Sequence, residues 1–200
     1  QPATIAVKNC CDLKLTAEAQ PLTVQCDGSG NTGELNTWLS NRGGATATDL
    51  PGVTVTWTYS PANPAAALSD GCGNTGSVSV TFTAVDVCGM SVSTTAAFTI
   101  FDTLAPVLSG VPTNTTVECG QIPSPPVVTA ADQCEGTLPV SYSEVSNTVV
   151  EGCGTIIRFW QVVDGCGNVA SATQTITVQD TQAPSLVGVP GSTTVECTAI

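Results

Sequence analysis

Residues 101–119 read FDTLAPVLSGVPTNTTVEC, and residues 179–197 repeat this pattern 78 positions later as QDTQAPSLVGVPGSTTVEC. The same offset places Asp-Val-Cys-Gly at 86–89 onto Asp-Gly-Cys-Gly at 164–167. The end of the pattern occurs once more as Thr-Val-Gln-Cys at 23–26. Because self-similarity at a fixed period is typical of tandem structural repeats, the sequence predicts an array of similar domains.

The repeated motifs set the expected domain boundaries. We predict a first repeat over residues 9–102 and a second over 103–180. Residues 1–8 match the last strand of a repeat, so they are either donated to another subunit or belong to a preceding repeat. Residues 181–200 match the opening strand of a third, incomplete repeat.

The two partial ends suggest a mode of assembly. A lone strand has unpaired backbone groups, and such an open edge invites pairing with another chain. Head-to-tail donation of an end strand does not close on itself, so it propagates into a filament. The alternative is one longer polypeptide in which these ends belong to neighbouring repeats. In the donation hypothesis the exchanged side chains are Ile5, Val7, Val187 and Val195.

Alternation of side chains indicates the fold class. Residues 78–84 alternate with period two, which is the pattern of a half-buried strand. Short runs of this kind, separated by Gly, Pro, Asn and Asp clusters, predict tandem immunoglobulin-like β-sandwiches in an all-β protein. Leu35, Trp38 and Leu39 have helical spacing, and a Gly-Gly pair follows them at 43–44. We therefore expect one short helix near 33–40.

Composition excludes several classes of function. The chain has 4 basic and 16 acidic residues and a net charge of -12, which disfavours nucleic acid as a partner. It has no His, so Ser-His and Cys-His catalytic machinery is absent and we predict that the protein is not an enzyme. No apolar run is long enough to span a membrane. Ten cysteines without histidine favour disulfides, and hence a secreted or cell-surface location.

Several motifs carry a family resemblance: Asp-Thr-x-Ala-Pro linkers, Val-Glu-Cys openings, Asp-x-Cys-Gly loops and a Thr-rich last strand. Together they resemble the HYR-like, immunoglobulin-type tandem repeats of large secreted bacterial surface adhesins and extracellular fibre proteins. The stretch at 25–49, QCDGSGNTGELNTWLSNRGGATATD, looks especially like adhesin repeats of gliding bacteria. The resemblance covers nearly the whole chain. It implies β-sandwiches with a role in adhesion or extracellular structure, without catalysis.

The resemblance also suggests how the cysteines pair. The opening cysteine of each repeat would bond to the third, and the cysteines of the two Asp-x-Cys loops would bond to each other. Other connectivities stay open, because a sequence does not fix them. The implied bonds are Cys26–Cys72, Cys119–Cys153 and Cys134–Cys166.

One departure from the resemblance leaves cysteines over. After Thr48-Asp49 the first repeat has Leu50 where a cysteine is expected, so Cys88 loses its partner within the repeat. We expect Cys88 to pair with Cys10 or Cys11. The candidates for junction or intersubunit disulfides are thus Cys10, Cys11, Cys88 and Cys197.

Oxygen-rich loops are candidate calcium sites, because calcium prefers carboxylate and carbonyl ligands. Two aspartates open the linkers, and four more lie in loops that are expected to approach one another. The alternative is that each aspartate only caps its own turn. These residues are Asp49, Asp86, Asp102, Asp132, Asp164 and Asp180.

Two positions match glycosylation patterns. Asn114 begins an Asn-x-Thr sequon, and Thr103 lies in an Asp-Thr-aliphatic pattern of the kind used for O-glycosylation in the bacteria that the family resemblance names. The alternative for both is a solvated turn.

The sequence supports two hypotheses of function. The first is a structural subunit or repeat segment of an extracellular filament or adhesin stalk, whose partners are further copies or adjacent repeats. The second is a carbohydrate- or protein-binding module. A binding module should present aromatic side chains on its surface, whereas most aromatics here fall on inward faces of predicted strands, which favours the first.

Overall fold

The computed structural model describes residues 11–197. Within them the protein is all-β, with α1 at Thr32–Ser40 as its α-helix and short 3-10 turns at Arg42–Gly44 and Ala65–Ala67. The predicted fold class and short helix are therefore confirmed. The strands are β1 Lys14–Ala17, β2 Leu22–Gln25, β3 Thr46–Thr48, β4 Val55–Ser60, β5 Gly76–Asp86, β6 Ser91–Phe101, β7 Val107–Ser109, β8 Thr115–Glu118, β9 Thr129–Asp132, β10 Gly136–Leu138, β11 Ser141–Asn147, β12 Gly154–Val163 and β13 Val169–Gln179.

The first repeat is built on a four-stranded sheet of order β2-β6-β5-β4, with β1 and β3 paired in a second, two-stranded sheet. The opening strand β2 runs parallel to β6, while β5 pairs with its neighbours in antiparallel register. Strand β5 alternates because Val80, Phe82 and Ala84 point into the core and are fully buried. Helix α1 covers that core with Trp38, whose ring lies 5.3 Å from that of Phe82.

The second repeat follows the same plan with different lengths. Its sheets have the orders β11-β12-β13-β8 and β10-β9-β7. The opening strand β8 runs parallel to the last strand β13, with Thr115 opposite Ile176, as β2 does with β6. A small apolar core forms around Ile156, Ile176 and Val178.

The chain divides into two compact units. One contains the chain through Val111 together with Pro126–Tyr142 and Trp160–Ala172. The other contains Pro112–Pro125, Ser143–Phe159 and the chain from Thr173. Part of the second repeat thus clusters with the first repeat. The boundaries at 102 and 180 that the repeats suggest stay a prediction.

The ends differ from the expectation of isolated strands. Residues 1–8, with Ile5 and Val7, lie outside the described residues. From 181 to 197 the chain forms no strand, and Val187 and Val195 are 93% and 63% exposed. In the second repeat the equivalent strand β8 is held by β13, and the described residues after 180 contain no strand of that kind to pair with.

Candidate functional site at the repeat junction

Three disulfides are formed within the described residues. Two join the first repeat to the second: Cys26–Cys134, with Cα atoms 5.7 Å apart, and Cys72–Cys166, with Cα atoms 4.9 Å apart. The third is Cys11–Cys88, with a Cα separation of 6.5 Å. The sequence segments 9–102 and 103–180 are therefore covalently cross-linked twice, and all four cysteines lie in one compact unit.

These bonds correct the expected pairing. The bonds Cys26–Cys72 and Cys134–Cys166 are wrong, since each of these cysteines bonds to one in the other repeat. The reason is the position of Cys26, whose N–H donates to Phe101 O at the end of β6, where the chain leaves the first repeat. Its nearest cysteine is therefore in the next repeat.

The remaining cysteines also differ from the implied pattern. The Cys119–Cys153 bond is not formed, and Cys119, Cys153 and Cys197 are exposed free thiols. Cys88 bonds to Cys11, one of its two candidate partners. Cys10 lies outside the described residues.

Turns of the second repeat pack closely against small residues of the first repeat. A side chain at Gly28 would collide with the Gln133 carbonyl, and one at Gly73 would meet the Glu135 side chain. The carboxylate of Glu135 in turn accepts a 2.6 Å hydrogen bond from Gly165 N–H. Asn74 Nδ2 donates to Cys134 O. Close contacts between the two repeats therefore lie beside both disulfides.

Asp102 and Asp132 form a carboxylate pair beside the Cys26–Cys134 bond. One carboxylate oxygen from each lies within 4.8 Å of the other and of the Cys134 Sγ. Asp102 Oδ1 accepts from Gln25 Nε2 at 2.7 Å and Leu104 N at 3.0 Å. Asp132 Oδ1 accepts from the N–H groups of Cys134 and Glu135 at 2.7 and 3.0 Å.

The second oxygen of each carboxylate is buried without a partner. Asp102 and Asp132 are only 9% and 7% exposed, and the Oδ2 atom of each makes no hydrogen bond. Two such carboxylates close together are costly, because like charges repel and burial removes their hydration. A cation between them would relieve both costs. The Cys134 sulfur is used in a disulfide, which leaves carboxylate oxygens as the donors and suits a hard cation such as calcium.

The carboxylate of Asp164 finds its hydrogen-bond donors within its own turn. Its oxygens accept from Cys166 N, Asn168 N and Asn168 Nδ2 at 2.8–2.9 Å. Burial disfavours its charged form, but these bonds outweigh burial and place its pKa below the ordinary value. Asn168 Nδ2 also reaches the Asp102 carbonyl at 3.5 Å. Asp164 therefore fixes the Cys166 turn, as a capping aspartate would.

A similar group occurs in the first repeat. Asp86 Oδ1 accepts from Cys88 N and Met90 N at 2.8 Å, while the Oδ2 atoms of Asp86 and Asp49 are buried without partners. The N–H groups of Asp12 and Leu50 donate to Asp49 Oδ1 at 2.5 and 2.7 Å and, with the Asp86 side chain alongside, keep the pKa of Asp49 below its ordinary value. The structure thus brings Asp49 to Asp86 and Asp102 to Asp132. Asp180 is exposed and caps Gln182 N at 2.9 Å.

The candidate glycosylation residues lie on the surface. Asn114 is exposed before β8, and its Oδ1 accepts from Thr175 N at 2.8 Å. Thr103 is exposed in the linker, and its hydroxyl donates to Gln25 Oε1 at 3.1 Å.

A groove of about 830 Å³ lies beside α1 in the first unit. Its lining includes Glu34, Trp38 and Arg42. The Trp38 ring is 7% exposed, and its Nε1 donates to Gln20 O at 2.9 Å. Arg42 lies over the Trp57 ring, 5.4 Å from its centroid. The Trp38 ring thus belongs to the core, and Arg42 covers one face of Trp57.

One known family model matches a segment of the chain. Residues 107–178 match the model of the HYR-like domain with 4 cysteines. This segment is similar to HYR-like domains. It covers less than half of the chain and holds four of the ten cysteines, Cys119, Cys134, Cys153 and Cys166. No curated protein matches the chain.

Several solved cadherin structures resemble the chain at low identity. Drosophila N-cadherin EC1-4 is 11% identical with a TM-score of 0.34, over 84% of this chain and 49% of that one. Protocadherin gamma B7 extracellular cadherin domains 1-4 are 12% identical with a TM-score of 0.37, over 86% and 50%. Human CDH23 EC21-23 is 13% identical with a TM-score of 0.32, over 83% and 63%. The chain therefore spans about half to three fifths of the length of these structures.

Sequence reasoning missed the cross-links between repeats, although one signal pointed to them. The first repeat lacks a cysteine only at Leu50, the position equivalent to Cys134. Cys134 bonds backward to the preceding repeat.

Proposed function

We propose that this protein is a structural segment of an extracellular bacterial filament or adhesin stalk, built from HYR-like repeats joined end to end. The observation that carries the proposal is the double cross-link of consecutive repeats by Cys26–Cys134 and Cys72–Cys166. Covalent bonds between consecutive repeats resist their separation, which suits a load-bearing array.

Three disulfides support an extracellular location. Such bonds persist in oxidising compartments and are rare where thiols are kept reduced. No helix among residues 11–197 is long and apolar enough to cross a membrane.

The cross-links are arranged to bear tension. The three bonds span 77, 108 and 94 residues and overlap along the chain. When the ends are pulled, tension passes through the Cys11–Cys88 disulfide, then along the backbone between Cys88 and Cys72, and then through the Cys72–Cys166 disulfide. Most of the intervening residues then carry no load while the bonds are intact.

Single-molecule pulling tests this arrangement. With the chain tethered at its ends, we expect reductant to release about 140 further residues, roughly 480 Å at ~3.4 Å per residue. Pairing within repeats, as Cys26–Cys72 and Cys134–Cys166, would release only about 80 residues. An extension that reductant leaves unchanged would contradict the proposal.

Calcium belongs to the same proposal as a ligand of the junction. Asp102 and Asp132 lie close together and each has a buried oxygen without a hydrogen bond, which supports a shared cation. Asp102 lies at the end of the first repeat and Asp132 in the second, so bound calcium would neutralise the pair and stiffen the link between them.

Titration calorimetry on chelator-treated protein tests the calcium site. Asp132→Asn keeps an oxygen for the Cys134 and Glu135 N–H groups but removes the charge, so we expect calcium affinity to fall at least tenfold. Asp70→Asn, at an exposed aspartate, is the control and should bind as the wild type. Equal binding by both variants would remove calcium from this pair.

Head-to-tail association through end strands is a further part of the proposal. It is supported by the exposed Val187 and Val195 in a segment that repeats the sequence of β8 without forming a strand. Deletion of residues 1–8 should keep the protein monomeric where the intact chain forms fibres, as seen by electron microscopy. Undiminished fibre formation would exclude donation through the N-terminal strand.

A second candidate function is a binding module, favoured by the groove beside α1. Its rings are already engaged, so it offers a ligand mainly polar side chains such as Glu34, Thr37 and Asn41, together with backbone. A glycan array would show specific binding that Glu34→Ala and Thr37→Ala abolish if this candidate were correct. The structural proposal predicts no such binding.

A further inference from the structure

The opening cysteines of the two repeats occupy the same structural position. Cys26 follows β2, and its N–H donates to Phe101 O at 2.8 Å. Cys119 follows β8, and its N–H donates to Gln179 O at 3.2 Å. In both cases the acceptor ends the last strand of the same repeat. The two cysteines nevertheless differ in state, because Cys26 is fully buried and bonded while Cys119 is exposed and free.

The third cysteines hold matching places in the two repeats. Cys72 and Cys153 each lie in a Gly-Cys-Gly turn just before the long strands β5 and β12. The turns are closed differently, since the Cys72 carbonyl accepts from Thr75 N, three residues later, at 3.1 Å, and the Cys153 carbonyl accepts from Val150 N, three residues earlier, at 2.9 Å. Cys72 bonds to Cys166 of the next repeat, whereas Cys153 is an exposed free thiol.

The chain also leaves both repeats in the same way. Gln25 Oε1 accepts from the Thr103 N–H at 3.4 Å and from its hydroxyl at 3.1 Å. Glu118 accepts from the Thr181 N–H at 3.1 Å and from its hydroxyl. Asp102 and Asp180 each cap the residue two positions later, at 3.0 and 2.9 Å. The linker after the second repeat thus starts along the path taken by the linker after the first.

We infer that Cys119 and Cys153 are the attachment points for a following four-cysteine HYR-like repeat. This inference rests on the proposed function and extends it to a rule. The first and third cysteines of each repeat bond to the second and fourth of the next, as Cys26 and Cys72 bond to Cys134 and Cys166.

This pairing rule also determines which kind of repeat can bond to Cys119 and Cys153. The first repeat of a second copy of this chain cannot make both bonds, because it has Leu50 at the second position and its fourth cysteine, Cys88, is bonded to Cys11. A repeat with all four cysteines, such as 103–180, can make both. The partner is therefore a complete repeat of the second kind.

Formation of each bond is an oxidation. Two thiols lose two protons and two electrons to form one S–S bond, and the electrons reduce the disulfide of a thiol–disulfide oxidoreductase or of oxidised glutathione to two thiols. The competing bond is Cys119–Cys153, since the Cys119 Sγ lies against Gly152, the residue before Cys153. The following repeat must capture both thiols before they bond to each other.

The test adds a third repeat to the full chain. Residues 1–197 are followed by a second copy of 120–180, which supplies copies of Cys134 and Cys166. Thr137→Ser and Ser171→Thr in the copy mark its peptides by mass, and both positions are exposed in the original. After oxidative refolding in a glutathione buffer, non-reducing peptide mapping should join Cys119 to the copied Cys134 and Cys153 to the copied Cys166.

A matched variant controls for accessibility. With both copied cysteines changed to Ser, Cys119 and Cys153 should be either alkylated by iodoacetamide or bonded to each other, and neither should be joined to the copy. A Cys119–Cys153 peptide in the extended chain would overturn the inference, and so would two thiols that stay fully alkylated there. The same digest reports Cys26–Cys134 and Cys72–Cys166. If these are present while the new bonds are absent, only the inference fails and the proposed function stands.

Discussion

Aspartates set the turns that present the bonded cysteines. Asp86 and Asp164 each accept hydrogen bonds from the residues two and four positions later, and so fold the turns of Cys88 and Cys166. Asp132 holds the Cys134 turn in the same manner. The short polar side chain after a strand is what turns the chain sharply. Each cysteine thus leaves its strand in a fixed direction.

A glycine at the junction gives the first prediction. Gly28 has φ +76° and faces the Gln133 carbonyl, whereas Gly30 has φ +83° and faces open space. Gly30→Ala should cost about 1 kcal/mol in the free energy of unfolding, because alanine is strained at positive φ. Gly28→Ala should cost about 1–3 kcal/mol more, because its methyl group also displaces the second repeat. Urea unfolding measures both variants. Equal costs would mean that the two repeats do not meet at Gly28.

Asp27 gives a prediction of pH dependence. Hydrogen bonds from Asn31 N–H and from Ser29 lower its pKa. A carboxyl whose pKa is lowered by folding stabilises the protein above the unfolded pKa, and this contribution is lost as the pH falls through the folded pKa.

Asp27→Asn should therefore reduce stability at neutral pH, and the difference from the wild type should shrink as the pH falls below about 3.8. Urea midpoints measured between pH 2 and 7 test this, with Asp70→Asn as the control. A difference that is constant with pH would contradict it.

At the scale of elements, local patterns were sufficient for the strands and the helix. The alternation of β5 could be recognised because every second side chain enters one core, and Leu35, Trp38 and Leu39 form the buried face of α1. The disulfides could not be predicted in this way. Their partners lie 94 and 108 residues apart, and the pairing depends on how one repeat docks on the next.

The contact between Asp102 and Asp132 could not be predicted from local sequence patterns either. The sequence marked Asp102 and Asp132 as candidates because they lie in turns and linkers. Their meeting depends on the contact of the linker with the β9–β10 turn, which no local pattern encodes. Asp164 looked equivalent, but it is satisfied by Asn168.

The β5–α1 contact gives a prediction at this scale. Phe82 is fully buried between the sheet and Trp38, so Phe82→Ala should lower the free energy of unfolding by about 3–5 kcal/mol. Phe101→Ala, at a ring that is 37% exposed, is the control and should cost less than half as much. Calorimetry and urea unfolding give both values. Similar losses would show that α1 does not close this core.

At the scale of the whole molecule, the cross-links should dominate stability. Replacing Cys26 and Cys134 together by Ala removes a bond that spans 108 residues and should cost about 3–5 kcal/mol. Replacing the free thiols Cys119 and Cys153 by Ala should leave the free energy of unfolding within about 0.5 kcal/mol of the wild type. Urea unfolding under non-reducing conditions compares the pairs. The opposite order would place the stabilising bond within the second repeat.

The most direct test of the central claim is a disulfide map of the intact chain. The protein is alkylated without reduction, digested by proteases that cut between the cysteines, and analysed by mass spectrometry. We expect linked peptides for Cys26–Cys134 and Cys72–Cys166, which join one repeat to the next. Linked peptides for Cys26–Cys72 and Cys134–Cys166 would confine the bonds to single repeats and contradict the claim that consecutive repeats are covalently joined.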